Sequence, residues 1–340
     1  MNIFRRTALI ALLLLSACAT RPGQPDWVDG ASGQYPAAQY LIGRGQAASL
    51  EEAKDRARAD LAKIFEVSVV VDTEDVQAFK AGGKEGGAGE YATQARRRIA
   101  TRAEQIVQGI QIAELWQDPK TRAQHALATL PRLQTAASLR QEIDRLDAAT
   151  RSDLERARAA GDLFLKIAAA SRAYEAQLER QSYQKSLKVV DVTGQGIAAP
   201  WSRDKLRADL AELLGRVRIA PRIVQDDAGG LESVVSGALA GAGFLIETGQ
   251  SPEYVLEAAF PLEDLGLKEG WYWQRGALEV RLVEAASARV RGTQRWSIKS
   301  SATDHAVARR RALDEADKVL KKDLRATIIG FATGREEKPK

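Results

Sequence analysis

Cysteine is almost absent: Cys18 is the only one in 340 residues. With no second thiol, an internal disulfide and a cysteine-based metal site are both excluded. Histidine is nearly as scarce. His125 and His305 are the only two, and neither has partners that would complete a zinc site or a serine–histidine–acid triad. No metal, no cofactor and no catalytic residue is therefore expected. No apolar run approaches the roughly 20 residues that a membrane-spanning helix needs. A strong excess of charge is missing too. The formal net charge is +5, and Arg5 and Arg6 both fall in a leader without acids, so the rest of the chain is nearer to neutral. A nucleic-acid-binding protein concentrates far more basic charge on one face, and no nucleic-acid partner is expected.

What is present begins with a targeting segment. Arg5 and Arg6 precede an apolar run from Thr7 to Leu15, the layout of a secretory leader. The run ends Leu15-Ser16-Ala17-Cys18, which looks like a lipobox, with cleavage between Ala17 and Cys18 and a diacylglycerol on the Cys18 thiol. Acylation would also explain the lone cysteine of an exported chain. Ala19 follows, not the aspartate that retains many lipoproteins in the inner membrane, so by resemblance to that sorting rule the chain is expected in the outer membrane. The expected partner there is the lipid bilayer, held through acylated Cys18.

The remainder reads as α+β: two small α/β sandwich domains, each an antiparallel or mixed sheet with helices on one face, joined by a long antiparallel helical pair. The expected layout is a leader (1–17), a tether (18–24), a first α+β domain (25–131), a helical hairpin (132–185), a C-terminal α+β domain (186–334) and a disordered charged tail (335–340). In the first domain, Tyr40–Gly45 reads as a strand running into a glycine turn. Ser49 with Glu52 forms a capping box for a helix that carries Ala53, Ala57, Leu61 and Ile64 on one face. The β-branched run from Phe65 to Val71 reads as a strand, and Gly82–Gly89 as a flexible loop. Ile106, Ile110, Ile112 and Trp116 alternate along a further strand, which a turn at Asp118-Pro119 folds back onto residues 124–130.

Ala136, Leu139, Ile143 and Leu146 form one helical stripe. Leu154, Ala157, Gly161, Phe164, Ala168, Tyr174 and Leu178 form another, as a rigid spacer or docking surface would. Beyond it, Leu187–Val192, Val217–Val224, Phe244–Glu247, Tyr254–Leu262, Gly276–Val283 and Val290–Ile298 read as strands. Ser202 caps a helix to Leu214, a second runs from Leu231 to Ala242, and a third from Asp304 to Ile328.

Pro25-Asp26-Trp27-Val28, Gly43-Arg44-Gly45, Ser49 and the Ala53/Ala57 helix together resemble the Lpp-twenty lipoprotein family. Its relatives include flagellar outer-membrane lipoproteins and the N-terminal domain of the flagellar protein FlgT. That resemblance covers residues 25–130 or so and implies a structural or scaffold protein of the envelope, not an enzyme. The C-terminal domain is similar, in element order only, to the periplasmic domain shared by TolB, CsgG and LpoB.

Several motifs suggest chemistry and are better explained without it. Ser202-x-x-Lys205 and Ser182-x-x-Lys185 match the nucleophile–lysine spacing of penicillin-binding enzymes, but the companion motifs are missing. Gly43-Arg44-Gly45 and Gly194-Gln195-Gly196 lack the third glycine of a nucleotide loop, and Gly83-Lys84 lacks the following hydroxyl of a P-loop. The most unusual stretch is Gly270-Trp271-Tyr272-Trp273-Gln274. On a strand Trp271 and Trp273 share one face and Tyr272 takes the other. Either the tryptophans fill the core against the last helix, with Trp296 joining them, or they form an exposed aromatic patch that binds a partner. These features point to a non-catalytic outer-membrane lipoprotein that binds an envelope protein, in flagellar or cell-envelope assembly. A regulator of peptidoglycan synthesis is the alternative. A ring-forming homo-oligomer also fits, whereas no long alternating hairpin suggests a transmembrane barrel.

Overall fold

The computed structural model describes residues 23–81, 109–247, 249 and 252–333. Residues 23–65 and 109–135 form one compact unit, and residues 66–81 and those from 136 onward belong to a second. Ala17, Cys18, the loop at 82–89, Ile106 and the tail lie outside the described residues.

The first unit is a three-stranded antiparallel sheet in the order β1-β3-β2, with β1 at Tyr40–Ala47, β2 at Gln111–Gln117 and β3 at Gln124–Pro131. The turn at Asp118-Pro119 sits where expected. Asp118 Oδ1 accepts from the Lys120 backbone at 2.8 Å and the Asp118 N–H donates to the Ala123 carbonyl at 2.9 Å. Helix α1, Leu50–Ala81, starts at Ser49, whose hydroxyl accepts from the Glu52 N–H at 3.3 Å. Only half of the capping box forms, because the Glu52 carboxylate is held by Arg56 at 2.7 Å.

Gly43 and Gly45 explain how α1 is seated. A Cβ on Gly43 would lie 2.4 Å from the Ala57 carbonyl oxygen, and one on Gly45 would lie 2.0 Å from that of Ala53. The pair is therefore a flat bed on which the helix backbone rests, not a phosphate cradle. Ala53, Ala57 and Leu61 are fully buried. Phe65 continues that stripe while Ile64 is exposed, a one-position correction to the sequence reading. The helix also protects the open edge of β1. Asp60 accepts from the Arg44 backbone N–H at 3.0 Å, and Arg56 donates to the Gln46 carbonyl at 2.7 Å, which removes groups that would otherwise template strand addition. Trp27 is buried on the sheet and donates its indole N–H to Glu114 at 2.6 Å.

Two expected strands are helical. Phe65–Val71 continues α1: Leu50–Ala81 contains neither glycine nor proline, and a β-branched residue costs a helix only a few tenths of a kcal/mol. Leu187–Val192 is also overturned, because helix α3 runs from Leu163 to Val190. The second apolar stripe belongs to two helices. Leu154 and Ala157 end α2, Arg132–Ala159, and the chain reverses at residues 160–162. Asp162 restarts the helix by accepting from the Leu165 N–H at 3.0 Å.

Helix α3 is not a spacer. Phe164, Ile167, Ala168 and Tyr174 join one core with the C-terminal sheet and its helices. That sheet consists of β4 (Arg218–Asp226), β5 (Leu245–Ile246), β6 (Tyr254–Phe260), β7 (Leu262–Lys268), β8 (Trp271–Glu284) and β9 (Val290–Ala302). β4 is parallel to β5 and β6; the long β8 pairs antiparallel with β7, then β6, along one side and with β9 along the other. Helices α4 (Arg203–Leu214), α5 (Leu231–Ala242) and α6 (His305–Thr333) complete the layer. Ala308, Ala312, Ala316, Leu320, Leu324 and Ile328 recur every fourth residue on α6 and are all fully buried. The opposite face of the sheet carries charge, with Arg222 and Arg281 both engaging Glu257. Near the hairpin turn, Asp162 and Glu284 both hold Arg291, the latter at 2.5 Å, tying α3 to β9. Burial pushes the neighbouring Tyr254 phenol up from its ordinary value.

Candidate functional site

The aromatic stretch forms one arm of a tight hairpin. In register, Leu267 faces Tyr272 and Lys268 faces Trp271, so the loop is only Glu269 and Gly270. Both have positive φ, 54° and 81°, as a type I′ turn requires. Glycine adopts this at little cost, and Glu269 is the residue that bears the strain. A bulge between Asp264 and Leu267 re-aims β7 just before the turn.

Strand alternation decides the two tryptophans. Trp271 and Trp273 point away from the helices and are 42% and 38% exposed; they do not fill the core. Trp296 does not join them, because it pairs with Leu278 on the inward face and packs against the core. Beside the tryptophans stand Arg275, bonded to Glu263 through Nε at 3.1 Å, and, across the β8–β9 ladder, Ser301 and Lys299. On the other face Tyr272 is half-buried and meets His305 edge-on, ring centroids 5.8 Å apart. Leu267, which sequence reasoning overlooked, is 59% exposed. Its missed signal is Lys268-Glu269-Gly270-Trp271, a turn with glutamate where asparagine or aspartate usually stands.

His305, the first residue of α6, places Nε2 2.6 Å from Asp264 Oδ2 and 3.4 Å from the buried Gln274 amide. The Gly266 N–H, then His305, hold the Asp264 carboxyl below its ordinary range. The same imidazole nitrogen is thus engaged by a carboxylate and an amide, so the cluster clamps the start of α6 onto the base of the hairpin. Among the described residues no grouping of three or more His, Cys, Asp or Glu could hold a metal ion.

The other motifs resolve structurally. Ser202 accepts from the Lys205 backbone N–H at 3.4 Å, while Lys205 Nζ turns to Asp209 at 3.0 Å, so no serine–lysine pair forms. Ser182 is buried and donates to the Glu179 carbonyl. Gly196 has φ +68°, and a Cβ there would lie 2.4 Å from the Gln184 amide nitrogen, so Gly194-Gln195-Gly196 is a turn fastened to α3. His125 lies on β3, with its ring 5.0 Å from that of Trp116.

An α+β unit of three strands and a long helix, opened by a buried Trp27 and floored by Gly43 and Gly45, is the class that the first unit defines. Residues 25–131 match the LPP20 lipoprotein family. Among curated proteins, none matches the chain. Among solved structures, the secreted protein HP1454 of Helicobacter pylori is similar at 11% identity over 83% of this chain and 97% of its own, with a TM-score of 0.36. A minor lipoprotein of Acinetobacter baumannii is similar at 13% identity over 32% of this chain and 92% of its own, with a TM-score of 0.26. A PelC dodecamer of Paraburkholderia phytofirmans is similar at 13% identity over 32% and 88%, with a TM-score of 0.23. No functional statement follows from likenesses at this level.

Proposed function

We propose that this chain is an outer-membrane lipoprotein, anchored through acylated Cys18 and facing the periplasm, that acts without catalysis by binding another component of the envelope. Its role on this reading lies in envelope or flagellar assembly. The observation that carries the binding half is the exposure of Trp271 and Trp273 together on the face of the β7–β8 hairpin that points away from the helices. Large aromatic rings displayed on a fixed scaffold are the side chains that most often dominate a contact. The LPP20 match over residues 25–131 and the Leu15-Ser16-Ala17-Cys18 run support the anchoring half.

Each half has its own test. Cys18→Ser is expected to abolish incorporation of labelled palmitate and to leave the leader uncleaved; a labelled, processed band would refute the anchor. For the contact, a photo-crosslinking residue at position 273 is expected to give a discrete adduct in living cells. The same residue at Arg310, exposed on α6, should give none. A product of twice the monomer mass would identify a second copy of the chain as the partner. No adduct at 273, to protein or to lipid, in folded, abundant protein would sink the reading.

A further inference from the structure

The hairpin has a property that a flat docking surface does not need: it is apolar on both sides. Trp271 and Trp273 project from one face, while Leu267 and the partly buried Tyr272 occupy the other. The parallel strand β4 lies between β5 and β6, and its ladder with β6 ends where Asp226 pairs with Phe260. The turn at Glu269 and Gly270 therefore forms the end of a three-stranded tongue, β7-β8-β9, beyond the parallel part of the sheet. A partner protein lying on one face would leave the other apolar face wet. A medium that surrounds the tip covers both.

Resting on the reading that this hairpin is a contact site, we propose that its occupant is an anionic phospholipid surface and that the tip inserts into the bilayer interface. Tryptophan and tyrosine favour that zone because a flat apolar ring ends in a hydrogen-bonding group that stays hydrated. The charges sit to match. Lys268 is paired in register with Trp271, where its stem can lie along the tip while the ammonium reaches the phosphates. Lys299 lies across the β8–β9 ladder from Arg275, roughly 14 Å behind Trp271 at about 3.4 Å per residue, and is the second cation of the scheme, because Arg275 is itself paired with Glu263. Of the nearby acids, Glu263 is paired with Arg275, and Asp264 is hydrogen-bonded to His305 behind the turn. Glu269, at the turn itself, opposes the scheme, and Asp304 adds a second negative charge that the first turn of α6 holds through the Val307 N–H at 2.9 Å.

The test uses the full acylated lipoprotein. Because acylation blocks Cys18, a Glu269→Cys variant carries a single reactive thiol at the tip, and a polarity-sensitive fluorophore can be placed there. In vesicles of phosphatidylethanolamine and phosphatidylglycerol the label is expected to shift to the blue and to escape aqueous quenchers. Adding Trp271→Ala and Trp273→Ala should move the equilibrium about tenfold or more toward the water-exposed state, given the apolar area lost. Lys268→Glu should weaken insertion in anionic vesicles and change little in zwitterionic ones. A label that remains fully quenchable in every vesicle overturns the inference. If position 273 nevertheless gives a protein adduct in cells, the contact reading survives and the partner is a protein. If it gives none, both fall.

Discussion

Arg180→Ala is expected to cost the second unit about 3–5 kcal/mol, the range for breaking a buried ion pair by removing one partner. Arg180 lies between α2 and α3 with its side chain 3% exposed. Its Nε donates to Asp147 Oδ1 at 2.7 Å, and its Nη2 donates to the Ala198 carbonyl at 3.0 Å. Asp147 also accepts from Gln177 at 3.0 Å, and Gln177 in turn reaches Thr150 at 2.9 Å. Truncation would therefore strand a carboxylate in the helical seam and release the segment after α3. The charge itself is not what stabilises: the cost comes from what remains unpaired. Replacing both partners with apolar residues of similar size, Arg180→Met with Asp147→Leu, should recover most of the loss. Urea unfolding followed through hydrogen exchange of α2 and α3 amides would measure it. A loss below about 1 kcal/mol, as for solvent-screened surface pairs, would show that water reaches this seam.

That network illustrates what the sequence could and could not convey. The apolar stripe Ala136, Leu139, Ile143 and Leu146 announces α2, and all four are buried. The same periodicity runs across Gly161 without a break, because Leu154 and Phe164 keep helical phase on either side of the turn. A hydrophobic pattern registers burial, not direction, so the reversal was invisible except through Asp162, a capping residue in the middle of the stripe. Asp147, Thr150, Gln177 and Arg180 were invisible for the opposite reason. Polar residues read as solvated faces, and only three-dimensional pairing makes them interior. The tryptophans form a third case. Alternation fixed that Trp271 and Trp273 share a face, but which face the helices cover depends on α5 and α6 packing from afar. Where one element decides the outcome, as at Leu231–Ala242 or the Ser202 cap, the sequence was sufficient.

The second large effect concerns a single methyl group. Gly45→Ala is expected to destabilise the first unit by about 3 kcal/mol or more, the upper end of what overpacking costs. The added Cβ would meet the Ala53 carbonyl oxygen at 2.0 Å and the Ala57 nitrogen at 2.4 Å. Both are helix backbone, so no rotamer change relieves the clash and α1 must lift as a body. Lifting it pulls Asp60 from the Arg44 N–H and Arg56 from the Gln46 carbonyl, which reopens the β1 edge and exposes Leu61. Gly237→Ala provides the matched control. That glycine lies inside α5 with nothing within 4 Å of its added Cβ, so the same change should stabilise the second unit by about 0.5–1 kcal/mol through helix propensity alone. The Trp27 indole N–H, buried in the first unit, offers an NMR probe that separates the two units during denaturation. Opposite signs for one chemical change would establish that Gly43-Arg44-Gly45 is kept small by the helix resting on it. A cost below about 1 kcal/mol at Gly45 would mean that α1 does not rest on β1 in solution, and the motif would need another explanation.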